Sequence, residues 1–431
     1  MTQKISLWIL ATFVSIATFT FFIPDQVLAI QKSPDKDSAN SEQNKNPIKE
    51  VIISDDAAEL GFSVKKLESI DRKMNGLVRS EAVVGCSALV LKDGKEVYFG
   101  KWGYQNKRKK LPIDRQTIFR IYSMTKPITS IAAMQLVEQG KLDLDAPITT
   151  YLPEFAKLKV LDERGAKPVE VDPKRPMTTR DLMRHTSGLT YGFFGNTTVD
   201  KKYRESGVLM TDISIKSTVE KLANIPLLHH PGTRFHYSAS TDVLGRVVEV
   251  VSGKQFDEYL KENVFQPLEM SDTFFSVPEE KQDRLAQLYA PKNGELKPAS
   301  PLQSIRFVNE DNIYFSGGGG LCSTIDDYLK FSKMLLNKGE LDGKRIVKEE
   351  TIAQMFTNQL GKIEQSPGAS FKFGLGFRCF PKGDYGWGGA AGTRFWVNPE
   401  KQLAIIYMMQ TMPNRSKFAE TVREATYSAL R

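Results

Sequence analysis

Between Met124 and Gly140 the chain carries a helix-length stretch that is apolar on nearly every face: Met124, Ile128, Ile131, Ala132, Leu136 and Val137. A helix without a polar face has to be enclosed on all sides, so this segment demands a domain able to surround it. The chain supplies one, because 431 residues at 41% hydrophobic and 26% charged is an ordinary globular composition with material for a large core. The mouth of that helix is chemically informative. The run Phe119-Arg-Ile-Tyr-Ser-Met-Thr-Lys126-Pro-Ile-Thr-Ser130 puts Ser123 and Lys126 three residues apart, on one helix face. The lysine ammonium can therefore swing back to the serine hydroxyl. A serine in the first turn also lies beside unpaired backbone N–H groups and the positive end of the helix dipole. S-x-x-K is one way in which serine acyl-transfer enzymes build a nucleophile. Two further matches read differently: Ser33/Lys36 lies in a polar linker, and Ser63 with Lys66 reads as an ordinary N-cap.

The flanking segments set the architecture. From Ser63 the pattern is helical, with Leu67, Ile70, Met74 and Leu77 on one stripe. Strand-like runs follow at 83–91 and 96–104, joined by Lys92-Asp93-Gly94-Lys95, and Asp-Gly between apolar runs is a strong hairpin signal. The middle of the chain reads as helical and loop-rich, with helix starts at Thr178 with Asp181, near Ser238, and at Ser323 with Asp326. Strand signals return at 371–380, 392–397 and 402–410, with Asn398-Pro399-Glu400-Lys401 as the turn between the last two, before a final helix over about 416–430. This order predicts an α/β protein of the α+β type. One antiparallel sheet, built from the N- and C-terminal parts and flanked by helices, would pack beside a mostly helical middle region. A cleft between two such parts is a favoured place for a small-molecule site.

Residues 1–29 look like a secretory signal peptide: Lys4 is the positive flank, 5–23 is uncharged and apolar, and Val27-Leu28-Ala29 offers small residues for cleavage. The expected location is secreted or periplasmic, with a mature chain starting near Ile30. An uncleaved N-terminal membrane anchor is the alternative, because the stretch just reaches spanning length. Residues 30–50 read as a disordered linker and 51–431 as the folded domain. Cys86, Cys322 and Cys379 allow at most one disulfide. The four histidines and three cysteines show no metal-ligand spacing, and the net charge of +8 has no clustered basic face beyond the loop-like Lys107-Arg108-Lys109-Lys110. The sequence thus calls for no metal, no cofactor and no nucleic-acid partner, and leaves oligomeric state open.

A lone serine needs a base within hydrogen-bond reach. No G-x-S-x-G elbow sets a serine beside a histidine. Ser187, in His185-Thr-Ser-Gly-Leu189, is a rival nucleophile, but residues two apart on a helix do not face each other. Tyr237, in Phe235-His-Tyr-Ser-Ala-Ser240, is the better base. It sits in a loop just before an apolar helix, and a nearby ammonium stabilises a phenolate, which gives Lys126 a role beyond positioning. Acyl transfer also needs N–H donors aimed at the developing oxyanion. The segment Trp387-Gly388-Gly389-Ala390, entering a strand with little side-chain bulk after the tryptophan, fits that need. Gly317–Gly320 lacks a following Gly-Lys-Ser/Thr and reads as a tight turn, not a phosphate loop.

Taken together these motifs resemble the serine β-lactamase/penicillin-binding superfamily, in its class C β-lactamase-like branch, over about residues 63–430. They are Ser-Met-Thr-Lys126, Leu144-Asp-Ala-Pro147 with Tyr151-Leu-Pro153, His185-Thr-Ser-Gly-Leu189, Tyr237-Ser and Gly389-Ala-Ala-Gly392. The resemblance implies the β-lactamase/transpeptidase-like fold. It also implies Ser123 as the acylated nucleophile, Lys126 and Tyr237 as its proton-transfer partners, and the N–H groups of Ser123 and Ala390 as the oxyanion hole. Two departures bear on substrate. Ala239 stands where antibiotic-processing members carry the Asn of Tyr-x-Asn, and Trp387-Gly388-Gly389 replaces their Lys-Thr-Gly or His-x-Gly. The Trp-Gly-Gly form is closest to family VIII carboxylesterases. The expectation is a secreted serine hydrolase acting on small apolar esters. A D-Ala-D-Ala carboxypeptidase or weak β-lactamase acting on peptide-like substrates is the alternative, and a catalytically silent binding protein is a further one.

Overall fold

The computed structural model describes residues 48–209, 213–300, 305–365, 370–414 and 416–431, so the expected signal peptide and the linker up to residue 47 lie outside the described residues. The linker's last two residues are a correction. Lys49 and Glu50 pair with Trp102 and Lys101 at the start of an edge strand, β1 (Lys49–Ile53), because Val51 and Ile53 pack on the core behind them.

The main sheet contains β1, β2 (Gly85–Lys92), β3 (Lys95–Asn106), β4 (Lys372–Phe373), β5 (Arg378–Cys379), β6 (Tyr385–Gly388), β7 (Arg394–Asn398) and β8 (Leu403–Met409). They lie in the order β1-β3-β2-β8-β7-β6-β5-β4, with Leu111–Pro112 added against the end of β3. All pairs are antiparallel, and the two ends of the chain meet at the centre, where Leu403 faces Lys92 and Met409 faces Cys86. The sheet is the one expected from strands at both chain ends. The helices around it include α1 (Val64–Arg79), α2 (Thr125–Glu138), α3 (Thr179–Met183), α4 (Thr198–Ser206), α5 (Ser240–Ser252), α6 (Ile325–Leu336) and α7 (Phe418–Ala429).

Side chains alternate across a strand, so both faces of the central strands must be apolar if both are covered. Leu89, Leu91, Ala404, Ile406 and Met408 join the large core shared with the helical region. Ala88, Val90, Ile405 and Tyr407 join a second core with residues of α1 and α7. Helix α2 runs through the first core with every residue from Thr125 to Leu136 buried, as its all-round apolar pattern requires. Each fully enclosed Ile or Leu there contributes about 1.5–3 kcal/mol.

Two local expectations are corrected. The predicted strand at 371–380 is two short strands, because the chain turns between them: the Gly374 N–H donates to the Phe377 carbonyl at 2.8 Å. Helix α6 is capped by Thr324, whose hydroxyl accepts from the Asp327 N–H, while Ser323 is drawn into a short strand opposite Phe119. The three cysteines are all free thiols, and burial pushes those of Cys86 and Cys322 up to about 12. Among the described residues no helix is long and apolar enough to cross a membrane.

Phe395 on β7 locks the sheet to α6. It is fully buried, with its ring edge-on to Tyr328 at 4.8 Å and to Phe331 at 6.5 Å. Phe395→Ala should therefore destabilise the domain by about 3–5 kcal/mol in urea unfolding, and a loss under about 1 kcal/mol would mean that this contact does not couple the layers.

Candidate active site

Helix α2 is preceded by a tighter turn, Tyr122–Met124, that runs into it without a break. The turn is tied down on two sides: the Ile121 N–H donates to the Leu321 carbonyl at 3.0 Å, and the Tyr328 hydroxyl donates to the Met124 carbonyl at 2.9 Å. Tyr122 enters it with φ +42°, a backbone conformation strained for a bulky side chain, of the kind that collects at working sites. The next residue is Ser123.

The structure brings Ser123, Lys126 and Tyr237 together. The Tyr237 hydroxyl donates to Ser123 Oγ at 2.7 Å, and Lys126 Nζ lies 3.4 Å from the same oxygen. Lys126 is buried, yet its ammonium is fully partnered: it donates to the Gly318 carbonyl at 2.6 Å and to the Tyr191 hydroxyl at 2.8 Å. It also lies 4.7 Å above the Tyr237 ring centroid. Tyr237 is held in place because its neighbours are pinned: the Phe235 N–H donates to Glu364 O at 2.7 Å and the His236 N–H to His185 O at 2.8 Å.

Sequence reasoning missed two members of this cluster and underread a third. Tyr191 follows the His185–Leu189 motif and carries no signal of its own. Burial, reinforced by the Asp242 charge, pushes its hydroxyl well above the ordinary tyrosine range, so it stays protonated beside Lys126. Asp242 on α5 accepts from Ser316 Oγ at 2.5 Å and from the Gly318 N–H at 3.2 Å. The Gly317–Gly320 run is the expected turn, but it is also part of the site. A Cβ at Gly318 would strike the Asp242 carboxylate and the Tyr191 hydroxyl, so only glycine lets this peptide reach Lys126.

The edge at Trp387–Ala390 lies against the same turn. A Cβ at Gly389 would strike the Ile121 carbonyl, which explains why a small residue is needed for β6 to approach the nucleophile. The Gly389 N–H is spent on Thr393 O at 2.7 Å, and Gly388 sits in the ladder opposite Arg394, whereas the Ala390 N–H has no backbone acceptor among the described residues. Trp387 packs on Tyr237 with ring centroids 5.5 Å apart and on Phe373 at 5.3 Å. Its Nε1–H is buried without a partner among the described residues. Ala239 is buried and offers no polar side chain, and the hydroxyl that accepts from Lys126 comes from Tyr191 instead.

The rivals fall away. Ser187 is buried in a hydroxyl network with Ser240 and Ser238, and its Oγ also accepts from the Leu189 N–H. His185 is buried with its ring edge 4.8 Å from the Tyr237 ring, and burial, then the Lys126 charge, hold it well below the ordinary histidine range. It is therefore a neutral wall behind Tyr237. Among the described residues no group of three or more His, Cys, Asp or Glu side chains could hold a metal.

The family model described as Beta-lactamase matches residues 70–427 of this chain. The chain belongs to the beta-lactamase family. Protein Rv1367c of Mycobacterium tuberculosis is 34% identical over 353 residues, covering 77% of this chain and 87% of its own. Esterase EstB of Burkholderia gladioli is 29% identical over 373 residues, covering 79% and 90%. Among solved structures, EstCE1, described as a hydrolase with promiscuous acyltransferase activity, superposes with a TM-score of 0.72 at 25% identity, covering 84% of this chain and 99% of its own. The chain is thus a serine hydrolase on the β-lactamase fold, within a family that includes esterases and acyltransferases.

The loop bearing His185 rests on Asp181 at the start of α3. Its buried carboxylate binds Arg175 at 2.5 and 2.9 Å, Arg184 at 3.0 Å and the Thr186 hydroxyl at 2.7 Å. Burial alone would raise this carboxyl; the Arg175 and Thr186 hydrogen bonds and the two arginine charges outweigh it and hold it below the usual range. A carboxyl depressed in the folded state contributes stability above its unfolded value near 4, and that contribution is lost as pH falls through the folded value. Asp181→Asn should lose about 3 kcal/mol at pH 7 and show a shallower fall in stability than wild type as pH drops below about 5. Parallel pH–stability curves for the two proteins would contradict this.

Proposed function

We propose that this enzyme is a carboxylesterase that forms an acyl-enzyme on Ser123 and releases small apolar acids to water. The observation that carries the proposal is the convergence of Tyr237 and Lys126 on one serine oxygen, at 2.7 and 3.4 Å. In the reaction Tyr237 acts in its phenolate form, its hydroxyl proton given up to solvent and its charge offset by the Lys126 ammonium; Ser123 Oγ attacks the ester carbonyl as its proton passes to Tyr237 Oη. The N–H groups of Ser123 and Ala390 receive the oxyanion. Tyr237 then protonates the departing alkoxide, and water repeats the sequence in reverse to free the acid.

The reading of the substrate rests on what borders that oxygen. Family members that bind a substrate carboxylate use a lysine or protonated histidine on this strand edge. Trp387 puts a broad apolar face there instead, with its one N–H buried. A charge-assisted hydrogen bond is worth roughly 1.5–3 kcal/mol, or about 10- to 150-fold in binding. Its loss, together with the missing amide at Ala239, favours neutral apolar esters over anionic amides.

p-Nitrophenyl acetate or butyrate should be hydrolysed at least about tenfold more efficiently, in kcat/KM, than a chromogenic cephalosporin. A fluorophosphonate probe should add one mass adduct to the wild type and none to Ser123→Ala. Comparable rates on the ester and the cephalosporin, or a preference for a D-Ala-D-Ala peptide, would overturn the ester reading. An adduct that survives Ser123→Ala would overturn the nucleophile.

Lys126 and Tyr237 act as one proton-transfer unit in this scheme. Each single change, Lys126→Ala or Tyr237→Phe, should cost about 10²- to 10⁴-fold in rate, and the double variant little more. Losses that multiply in the double variant would mean that the two groups work independently.

A further inference from the structure

Behind the turn that holds Lys126 lies a cavity of about 480 Å³, a size typical of small-molecule sites, and neither Ser123, Lys126 nor Tyr237 lines it. Its walls are mostly apolar: Phe265, Phe274, Phe275 and Phe315, with Met270. The backbone beside it is irregular. The helical turn Phe256–Leu260 runs into a π-helical one, Lys261–Phe265, closed by the Gln266 N–H on the Lys261 carbonyl at 2.8 Å. Such i→i+5 turns are rare and recur at functional sites. Lys261, Phe265 and Gln266 all line the cavity.

Two of the walls bear on the glycine turn. Phe275 packs so closely on Gly320 that a Cβ there would stand 2.7 Å from its ring. Phe315, with its ring centroid 5.3 Å from that of Phe275, is followed directly by Ser316, whose hydroxyl donates to Asp242. The Gly320 N–H donates to the Ser316 carbonyl at 2.9 Å, which closes the turn whose Gly318 carbonyl accepts from Lys126 at 2.6 Å. Phe274 and Cys322 exchange backbone hydrogen bonds at 3.0 and 2.7 Å, so the cavity wall is also tied to the chain that leaves the turn. A shift of either ring therefore reaches the peptide that meets the lysine.

Charge selects the occupant. Three carboxylates line the cavity, Asp257, Glu269 and Glu310, against one ammonium, Lys261. Glu269 is paired with Lys344 at 3.3 Å, whereas Asp257 and Glu310 have no ion-pair partner among the described residues. One oxygen of Asp257 is buried without a hydrogen-bond partner among the described residues, and burial pushes that carboxyl up. Lys261 offsets one of the two free carboxylates, and the balance stays negative. Phenyl faces attract cations as well, so a cation gains from both the rings and the acids, while an anion gains from neither. We propose that this cavity is a second ligand site, that it takes an aromatic ammonium ion, and that its occupancy favours the assembled active site. The sign of the effect follows from the geometry. The cavity has this shape in the same conformation that partners Lys126 fully, so a ligand that fits the shape stabilises that arrangement. Binding is independent of the esterase reading; the effect on rate rests on it.

The probe is benzyltrimethylammonium, which carries a fixed charge and no nucleophile, set beside phenylmethanesulfonate, of similar shape and opposite charge. Calorimetric titration of the wild type should show one site that binds the cation at least about tenfold more tightly than the sulfonate. Asp257→Asn/Glu310→Gln should weaken the cation at least about fivefold and leave ester hydrolysis without it within about twofold. Saturating cation should raise kcat/KM for p-nitrophenyl butyrate at least about fivefold. Phe275→Leu, which keeps an apolar wall but gives up the ring on Gly320, should bind within about fivefold of wild type and lose most of that activation. No binding, or equal binding of the sulfonate, would overturn the site, and binding without activation would overturn the coupling. Competitive inhibition, with binding that survives Asp257→Asn/Glu310→Gln and falls in Phe193→Ala/Phe194→Ala, would seat the cation on the exposed rings beside Tyr191 and Tyr237 and overturn the cavity. A wild type that turns over no ester would sink the esterase reading and the rate effect, while the titration still decides the site.

Discussion

Taking an ammonium out of water costs several kcal/mol unless acceptors replace the water it loses. Lys126 is buried, and its acceptors come from three separate parts of the chain: Ser123 in the turn before α2, Tyr191 in the loop after α3, and Gly318 in the turn before α6. Satisfying one cation therefore fixes three segments that no single element would hold in register. Asp242 completes the arrangement from behind. Its carboxylate accepts from the Gly318 N–H while the Gly318 carbonyl accepts from Lys126, so opposite charges are bridged through the backbone of one residue. Tyr237 belongs to the same set, because its ring lies under the ammonium and its hydroxyl reaches the serine.

Much of this was legible in the sequence because it is local. Residues three apart on a helix must share a face, so Ser123 and Lys126 could be paired from spacing alone. The all-round apolar pattern of α2 implied burial, and strands at both chain ends implied a shared sheet. Asp93-Gly94 marked a hairpin whose two turn residues do take left-handed backbone, at φ +50° and +79°. What stayed hidden depends on contacts across long separations. Nothing near Tyr191 or Asp242 announces a role, because their partners lie 65 and 76 residues away. The glycine run at 317–320 was visible, but its meaning depends on which carbonyl meets the lysine. The aromatic run after Tyr191 was an available signal: two phenylalanines between glycines are an unusual loop composition.

The same contrast applies to the rivals. His185 and Ser187 look like a histidine–serine pair when read in line, but the backbone turns between them, with His185 at φ +56° and Gly188 at +89°. The serine is driven into a hydroxyl network toward α5 and the imidazole toward the Tyr237 ring. Proximity in sequence placed two reactive groups on opposite duties. Distance in sequence brought Ser123 and Tyr237, 114 residues apart, within one hydrogen bond.

The pairing of β2 with β8 at the middle of the sheet has a consequence for how the protein is made. Cys86 lies opposite Met409, so the central ladder closes a loop of about 320 residues, and such closure is slow relative to local structure. During synthesis β2 and β3 emerge as a hairpin with one apolar edge unpaired, while the strand that covers it follows about 300 residues later. The β6 edge that approaches the Ser123 turn also belongs to that late segment. A nascent chain therefore carries its serine and lysine long before the sheet that frames them exists. The nucleophile is therefore framed only once β6, β7 and β8 have docked, and until then an unpaired strand edge is open to pairing with other chains.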